Sequence, residues 1–244
     1  MILDKITAKF QLRLKDRIAA GNILGEALKD VIKDVKEKRE HTIVLGIPRG
    51  GVIVADAVAK KLSCKLDIII PRKLRAPHNE EIAIGALMEE GTTYLNNDLV
   101  RGLEISQDYI EKEKTIQIQE IIRRSLLYRN SSLSMIAGIQ QNLKGSYNNI
   151  ILVDDGAATG ATIIVAARWI KKNAIHKKLI MAVPVVSRVT KDLLEKEADH
   201  LEVIISPSIS NFKSVGQYYQ TFEPTSDEQV VEIITKFKHH KSFS

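Results

Sequence analysis

Two carboxylates stand side by side at Asp154 and Asp155, after the apolar run Ile150–Val153 and before a loop, Gly156–Thr162, built only of Gly, Ala and Thr. Adjacent like charges at a strand end repel, and they are costly unless a cation or several hydrogen-bond donors compensate them. The vicinal hydroxyls of a ribose, with a Mg²⁺ ion nearby, would meet both needs. The loop offers different chemistry. Small side chains let a backbone approach a ligand closely, and successive N–H groups leading into a helix N-terminus make an anion site that suits a phosphate. Thr159 and Thr162 add hydroxyls to it. An ordinary tight strand-to-helix turn is also small, and one Asp of the pair could simply cap the helix, so the stretch alone leaves these readings open.

A second close-approach backbone lies at Ile47–Gly51, IPRGG, with Arg49 beside Gly50 and Gly51. Two phosphate cradles at neighbouring strand ends imply a ligand with phosphates at both ends. Arg72 and Lys73, after the next apolar run, would bring two more cations to the same rim, although solvated loop residues would look the same. The chain has no GxxxxGK[ST] run, which argues against a P-loop nucleotide hydrolase. An aspartyl-phosphate receiver would place acids at a strand end without needing the small-residue loop.

Such loops need a frame. Apolar residues from Ile18 to Val35 recur at helical spacing and predict an amphipathic helix over Lys15–Lys38. A β-branched run at Thr42–Ile47, helical periodicity over Val52–Leu62 and an apolar run at Leu66–Ile70 make a βαβ unit, and hence a parallel sheet. Arg72–Glu81, RKLRAPHNEE, is polar, carries a proline and has no period, so it reads as a surface loop. Ala83–Met88 and Thr92–Leu95 read as a small β excursion around Gly91. Ser106–Arg129 reads as a long, mostly exposed helix capped by Ser106, and Asn130–Asn149 as mixed helix and loop. Alternation then resumes, with strands at Ile150–Val153, Lys178–Val185 and Leu201–Ile205 and helices at Ala161–Asn173 and Arg188–Lys196. The whole pattern predicts a doubly wound α/β domain, in which ligands bind beyond the carboxyl ends of the strands. The acidic pair and the PRGG turn both fall on that edge.

Composition sets wider bounds. With 244 residues and 44% hydrophobic content, the chain can bury one full core. The single cysteine, Cys64, cannot form an internal disulfide and reads as a core residue, and no Cys/His cluster has metal-site spacing. A reducing, cytoplasmic setting follows. Asp4, Lys5 and Lys9 interrupt the N-terminal apolar residues, so no signal peptide or membrane span is expected, and a soluble protein is. The formal net charge of +6 suits an anionic ligand. Basic residues are scattered among acidic ones apart from KFKHHK at Lys236–Lys241, and no nucleic-acid partner is expected.

Together these residues resemble the type I phosphoribosyltransferases, whose signature is an apolar strand, an acidic pair and a small-residue loop with Thr-Gly and a final Thr; here it reads IILVDDGAATGAT. More narrowly, KDRIAAG, GIPRGG, PRKLRAPHNEEIAIGA, the helix ending LLYR and FKSVGQYYQTF resemble a subfamily of predicted phosphoribosyltransferases whose acceptor is undefined. The resemblance implies a phosphoribosyltransferase domain over 1–225, with N-terminal helix, hood and flexible loop, followed by a C-terminal helix and basic tail over 226–244. It implies that Asp154 and Asp155 hold the ribose hydroxyls of phosphoribosyl pyrophosphate (PRPP), with Mg²⁺ contacting them indirectly. Gly156, Ala157, Ala158, Thr159, Gly160, Ala161 and Thr162 would cradle the 5-phosphate. Arg49, Gly50 and Gly51 would hold the pyrophosphate, where the family often carries a non-proline cis peptide. Arg72 and Lys73 would neutralise the departing pyrophosphate, and Leu74–Ile82 would be a lid that keeps water out.

The implied activity is Mg²⁺-dependent transfer of a phosphoribosyl group to an unidentified, nitrogenous acceptor with release of pyrophosphate. A PRPP- or nucleotide-sensing regulator on the same fold is the alternative. Ala158 stands where 6-oxopurine phosphoribosyltransferases carry an Asp, which puts hypoxanthine or guanine salvage in doubt. Phe212, Tyr218, Tyr219 and Phe222 are either stacking surfaces of the hood or core, and helix Ser106–Arg129 is a possible homodimer surface.

Overall fold

In the computed structural model, which describes residues 13–32, 41–129, 147–174 and 176–239, a helix at Arg17–Val31 (α1) leads into the βαβ unit. That unit consists of Thr42–Gly46 (β1), Gly50–Leu62 (α2) and Lys65–Ile68 (β2). Asp16 starts α1 by accepting the Ala19 N–H at 2.7 Å, which satisfies one of the donors that a helix start leaves open. The buried, small Ala20, Gly21 and Gly25 let α1 lie close on α2. The far ends of two predicted segments, the helix beyond 32 and the basic tail beyond 239, lie outside the described residues, as does nearly all of Asn130–Asn149.

The main sheet adds Tyr147–Val153 (β6), His176–Val185 (β7) and His200–Ile205 (β8), in the order β2-β1-β6-β7-β8 and parallel throughout. Every residue of β1 is buried, as are Ile150–Val153 of β6, as expected of strands covered on both faces. The helix Ala161–Asn173 (α5) carries the fully buried Trp169 into the core, and Arg188–Leu194 (α6) follows β7. Chain order reverses between β1 and β6. In an open parallel sheet that reversal leaves a crevice beyond the strand ends, where ligands bind. The loops after β1 and β6 are the PRGG turn and the acidic pair with its small-residue loop.

A second, antiparallel sheet holds Arg72–Ala76 (β3), Asn79–Leu87 (β4) and Thr93–Leu95 (β5), followed by the short helix Asn97–Gly102 (α3). The β excursion around Gly91 is thus present. The surface loop expected at Arg72–Glu81 is not: it is a hairpin, with Leu74 fully buried and Ala76 nearly so. The period-two pattern was hidden because the register shifts on either side of Arg75, and Pro77 belongs to the turn.

The long helix Gln107–Arg129 (α4) also departs from expectation. Ser106 caps it as foreseen, accepting the Tyr109 N–H at 3.2 Å. One face is buried, along Ile110, Glu113, Gln117, Ile121, Ser125 and Tyr128. Glu113, Gln117 and Ser125 are polar, so burial at helical spacing left no apolar stripe to read. The last helix, Asp227–His239 (α7), puts Val230 and Ile234 into the main core. Phe212, Val215, Tyr218, Tyr219 and Phe222 form a smaller cluster with Leu14, Ala20 and Val185.

The buried hairpin has a measurable consequence. Leu74→Ala should cost about 2–5 kcal/mol, the range for truncating a fully buried leucine, read as a shift in the urea unfolding midpoint. A cost within about 0.5 kcal/mol of zero would return this stretch to a solvated loop.

Candidate active site

At the end of β6 the two carboxylates are handled differently. Asp155 Oδ2 accepts the Arg17 Nε–H at 2.7 Å, with side-chain exposures of only 18% and 10%. Arg17 also donates through Nη1 to the Glu223 carbonyl at 2.8 Å, and its guanidinium lies 3.8 Å from the centroid of the Phe222 ring. Its place is fixed by the segment before α1: the Leu14 N–H donates to the Tyr218 carbonyl at 2.8 Å, and Gln220 N–H returns to the Leu14 carbonyl at 2.8 Å. The Tyr219 hydroxyl donates to the Asp155 carbonyl at 2.7 Å. Burial, with Asp155 nearby, pushes that phenol well above its usual range.

Among the described residues Asp154 has no ion-pair partner. Its Oδ1 accepts the Asp155 N–H at 2.9 Å. Burial raises its carboxyl well above the usual carboxylate range, the neighbouring charge of Asp155 raises it further, and Lys73 opposes both. The pair therefore has one member with a fixed countercharge and one that holds its proton more strongly.

The PRGG turn meets this pair directly. The Pro48–Arg49 peptide bond is cis. A Cβ on Gly50 would collide with both Asp155 Oδ2 and Arg17 Nε, so only glycine fits there. Arg49 is half-exposed, and its Nη1 lies 3.9 Å from Asp227 Oδ1. Asp227, at the start of α7, also accepts the Tyr128 hydroxyl at 2.5 Å and the Arg123 Nη2–H at 3.1 Å.

The small-residue loop is held at three points. The Ala157 N–H donates to the Val185 carbonyl at 2.8 Å. The Thr190 hydroxyl donates to the Ala158 carbonyl at 2.5 Å, oriented in turn by Ser187. Gly160, at φ +73°, enters the left-handed region that favours glycine and opens α5. The helix start leaves N–H groups without intrahelical partners, while Ala158 and Thr159 are exposed at the rim. Backbone donors and the positive end of α5 face one place.

Lys73 is exposed and its charge acts on Asp154. Arg72, the preceding strand residue, turns to the other side: its Nε donates to Gln117 Oε1 on α4 at 3.0 Å. Of the residues singled out in the sequence, Asp154, Asp155, Gly50, Gly51 and Lys73 are brought to one crevice with the Gly156–Thr162 loop. Arg49 sits at its edge, and Arg72 faces α4. Sequence reasoning passed over Arg17. A signal existed: a cation in the first turn of a helix opposes the helix dipole, so Arg17 needs a tertiary reason to be there.

A family model for a phosphoribosyl transferase domain matches residues 13–220. The chain belongs to the phosphoribosyl transferase family. It is 32% identical over 232 residues to two proteins from Mycobacterium tuberculosis strains CDC 1551 and H37Rv, each named "Putative phosphoribosyl transferase". The match covers 94% of this chain and 47% of each relative, so the chain spans about half their length. The crystal structure of TT1426 from Thermus thermophilus is similar at 32% identity and a TM-score of 0.64, over 92% of this chain and 99% of that one. The fold is that of the type I phosphoribosyltransferases. Among the described residues no helix is long and apolar enough to cross a membrane.

Two experiments test the treatment of the acidic pair. A carboxyl whose folded pKa is raised favours folding at low pH, and loses that contribution as pH climbs from its unfolded value near 4 toward the folded one. Asp154→Asn should therefore gain stability relative to the native chain as pH rises above about 4, measured by urea unfolding in EDTA; a pH-independent difference would contradict the raised carboxyl. Arg17→Met should cost about 3–5 kcal/mol, as breaking a buried ion pair does, and distinctly less in an Asp155→Asn background. Equal costs in both backgrounds would uncouple the two residues.

Proposed function

We propose that this chain binds PRPP in the crevice between β1 and β6 and transfers its phosphoribosyl group to a nitrogenous acceptor, releasing pyrophosphate. One observation carries the reading: two backbone cradles for anions meet at the switch point with the acidic pair between them, and Gly50 lies against Asp155. A ligand with a phosphate at each end and a diol in the middle matches that order of groups.

In this reading the Gly156–Thr162 loop takes the 5-phosphate on its N–H groups and threonine hydroxyls. Asp154 and Asp155 accept hydrogen bonds from the ribose hydroxyls. Asp155 can do so through Oδ1 while Arg17 keeps Oδ2. Arg49, Gly50 and Gly51 receive the pyrophosphate, and Lys73 supplies the cation beside it. The C1–O bond breaks toward an oxocarbenium-like sugar, so the gain comes from fixed dipoles and charges placed before the reaction begins. The β3–β4 hairpin, whose tip is exposed at His78–Glu80, closes over the crevice and excludes water.

Mg²⁺ fits the donor set as a shared ligand. Asp154 and Asp155 offer hard oxygens, and no third acidic, His or Cys side chain joins them in a metal-holding group among the described residues. Mg²⁺ commonly binds one or two carboxylates together with substrate phosphates and water. When bound with PRPP it would supply positive charge between sugar and pyrophosphate. Lys73 and the backbone donors keep their roles with or without it.

Calorimetric titration with PRPP and Mg²⁺ should give saturable binding that weakens by about tenfold or more in Asp155→Asn, the loss expected for charge-assisted hydrogen bonds. Unchanged affinity would remove the acidic pair from the site. Pyrophosphate release, screened over nucleobases and other nitrogen acceptors, should then identify a turnover substrate. Tight binding with no release for any acceptor would instead assign the chain to PRPP sensing.

A further inference from the structure

Across β3 from the crevice, the hairpin and α4 flank an open groove of about 520 Å³, within the size range of small-molecule sites. Four arginines line it, Arg72, Arg75, Arg123 and Arg124, against one carboxylate, Glu120. Glu120 is already shared by Arg124 Nε at 2.7 Å and Arg123 Nε at 2.7 Å. Arg123 reaches Asp227 as well, and Arg75 meets Glu80.

Arg72 is the exception. Its only hydrogen-bond partner among the described residues is neutral, the Gln117 amide at 3.0 Å. Gln117 Nε2 passes the interaction on to the buried Glu113 at 2.9 Å. Among the described residues no carboxylate is in ion-pair contact with Arg72, and Glu120 acts on it only at longer range. Burial first, then repulsion from Arg124, pushes its guanidinium down to about 10. A partly buried cation with no carboxylate in contact is costly, and arginines converging on one space are the usual answer to a phosphate. The register shifts beside Arg75 matter here too, because such irregularities re-aim a side chain, and Arg75 lines the same groove as Arg72.

We propose that the groove between β3 and α4 is a second anion site, taking a small molecule that carries a diphosphate or triphosphate group. Arg72 and Arg124 grip the phosphates. Gln117 fixes the Arg72 fork, and the exposed Ile116 offers an apolar wall for an organic portion. The site is separate from the crevice, because Lys73 and Arg72 leave β3 on opposite faces. It stands whether or not the crevice takes PRPP.

The test uses the full chain in EDTA, titrated calorimetrically with inorganic pyrophosphate and, separately, with ATP. Saturable binding is expected, weakened about tenfold by Arg72→Gln and by Gln119→Glu, the latter placing a carboxylate at the exposed rim of the groove without touching the core. ATP binding at least tenfold tighter than pyrophosphate would assign a nucleotide-like ligand, and equal affinities an inorganic one; both support the site. Affinities within twofold of the native chain in both variants would overturn it. So would equal weakening of Mg²⁺–PRPP binding by Gln119→Glu, which would merge the groove with the crevice. If Arg72→Gln does not fold, Gln119→Glu carries the test alone.

Discussion

The ion pair between Arg17 and Asp155 joins pieces of chain that are far apart in sequence: the start of α1, the end of β6, the PRGG turn packed beneath it and the hood around Phe222. Two neighbouring carboxylates can share a strand end only if they are not asked to behave alike. Arg17 provides a fixed countercharge for one, and enclosure leaves the other reluctant to ionise. This asymmetry lets the acidic pair exist at the switch point before any ligand arrives. Whatever moves Arg17 therefore moves the crevice.

Backbone does most of the remaining work. The loop after β6 is held through Ala157 and Ala158 by β7 and α6, so its shape does not depend on its own side chains. The turn after β1 is held through Gly50 against the pair. Neither cradle could form if its residues were larger, and each limits where the other can sit. Positive charge is then added from outside the sheet, by Lys73 on the hairpin and by Arg49, which Asp227 holds near α7. A parallel sheet supplies the frame, and a small antiparallel one supplies the charge.

Much of this was legible. The main-sheet strands, the helices beside them and the edge shared by the two small-residue loops all follow from apolar runs punctuated by Gly and Pro, because strands buried on both faces advertise themselves. What stayed hidden was hidden by polarity in buried places. The hairpin at Arg72 was obscured by its register shifts, and the buried face of α4 by the polar Glu113, Gln117 and Ser125, of which Glu113 and Gln117 accept hydrogen bonds from β3 rather than from solvent. Arg17 was missed because its partner lies 138 positions away, and periodicity says nothing about contacts at that distance. The hood aromatics resolve by rank: Tyr218 and Tyr219 are buried, while Phe222 serves as the surface on which Arg17 rests.

β3 works as a two-sided wall. Lys73 looks toward the acidic pair and Arg72 toward α4, and their separation depends only on the alternation of a strand. A point substitution removes one side chain and leaves the other where it was. Adding or deleting a residue between Ile70 and Leu74 would exchange the two faces, drive Leu74 out of the core and turn each cation to the wrong neighbour. Beyond the register shifts, at the exposed tip, the same change would alter only the length of the turn. The base of the hairpin is thus constrained in spacing as much as in residue type, and relatives sharing this architecture would vary in length at its tip.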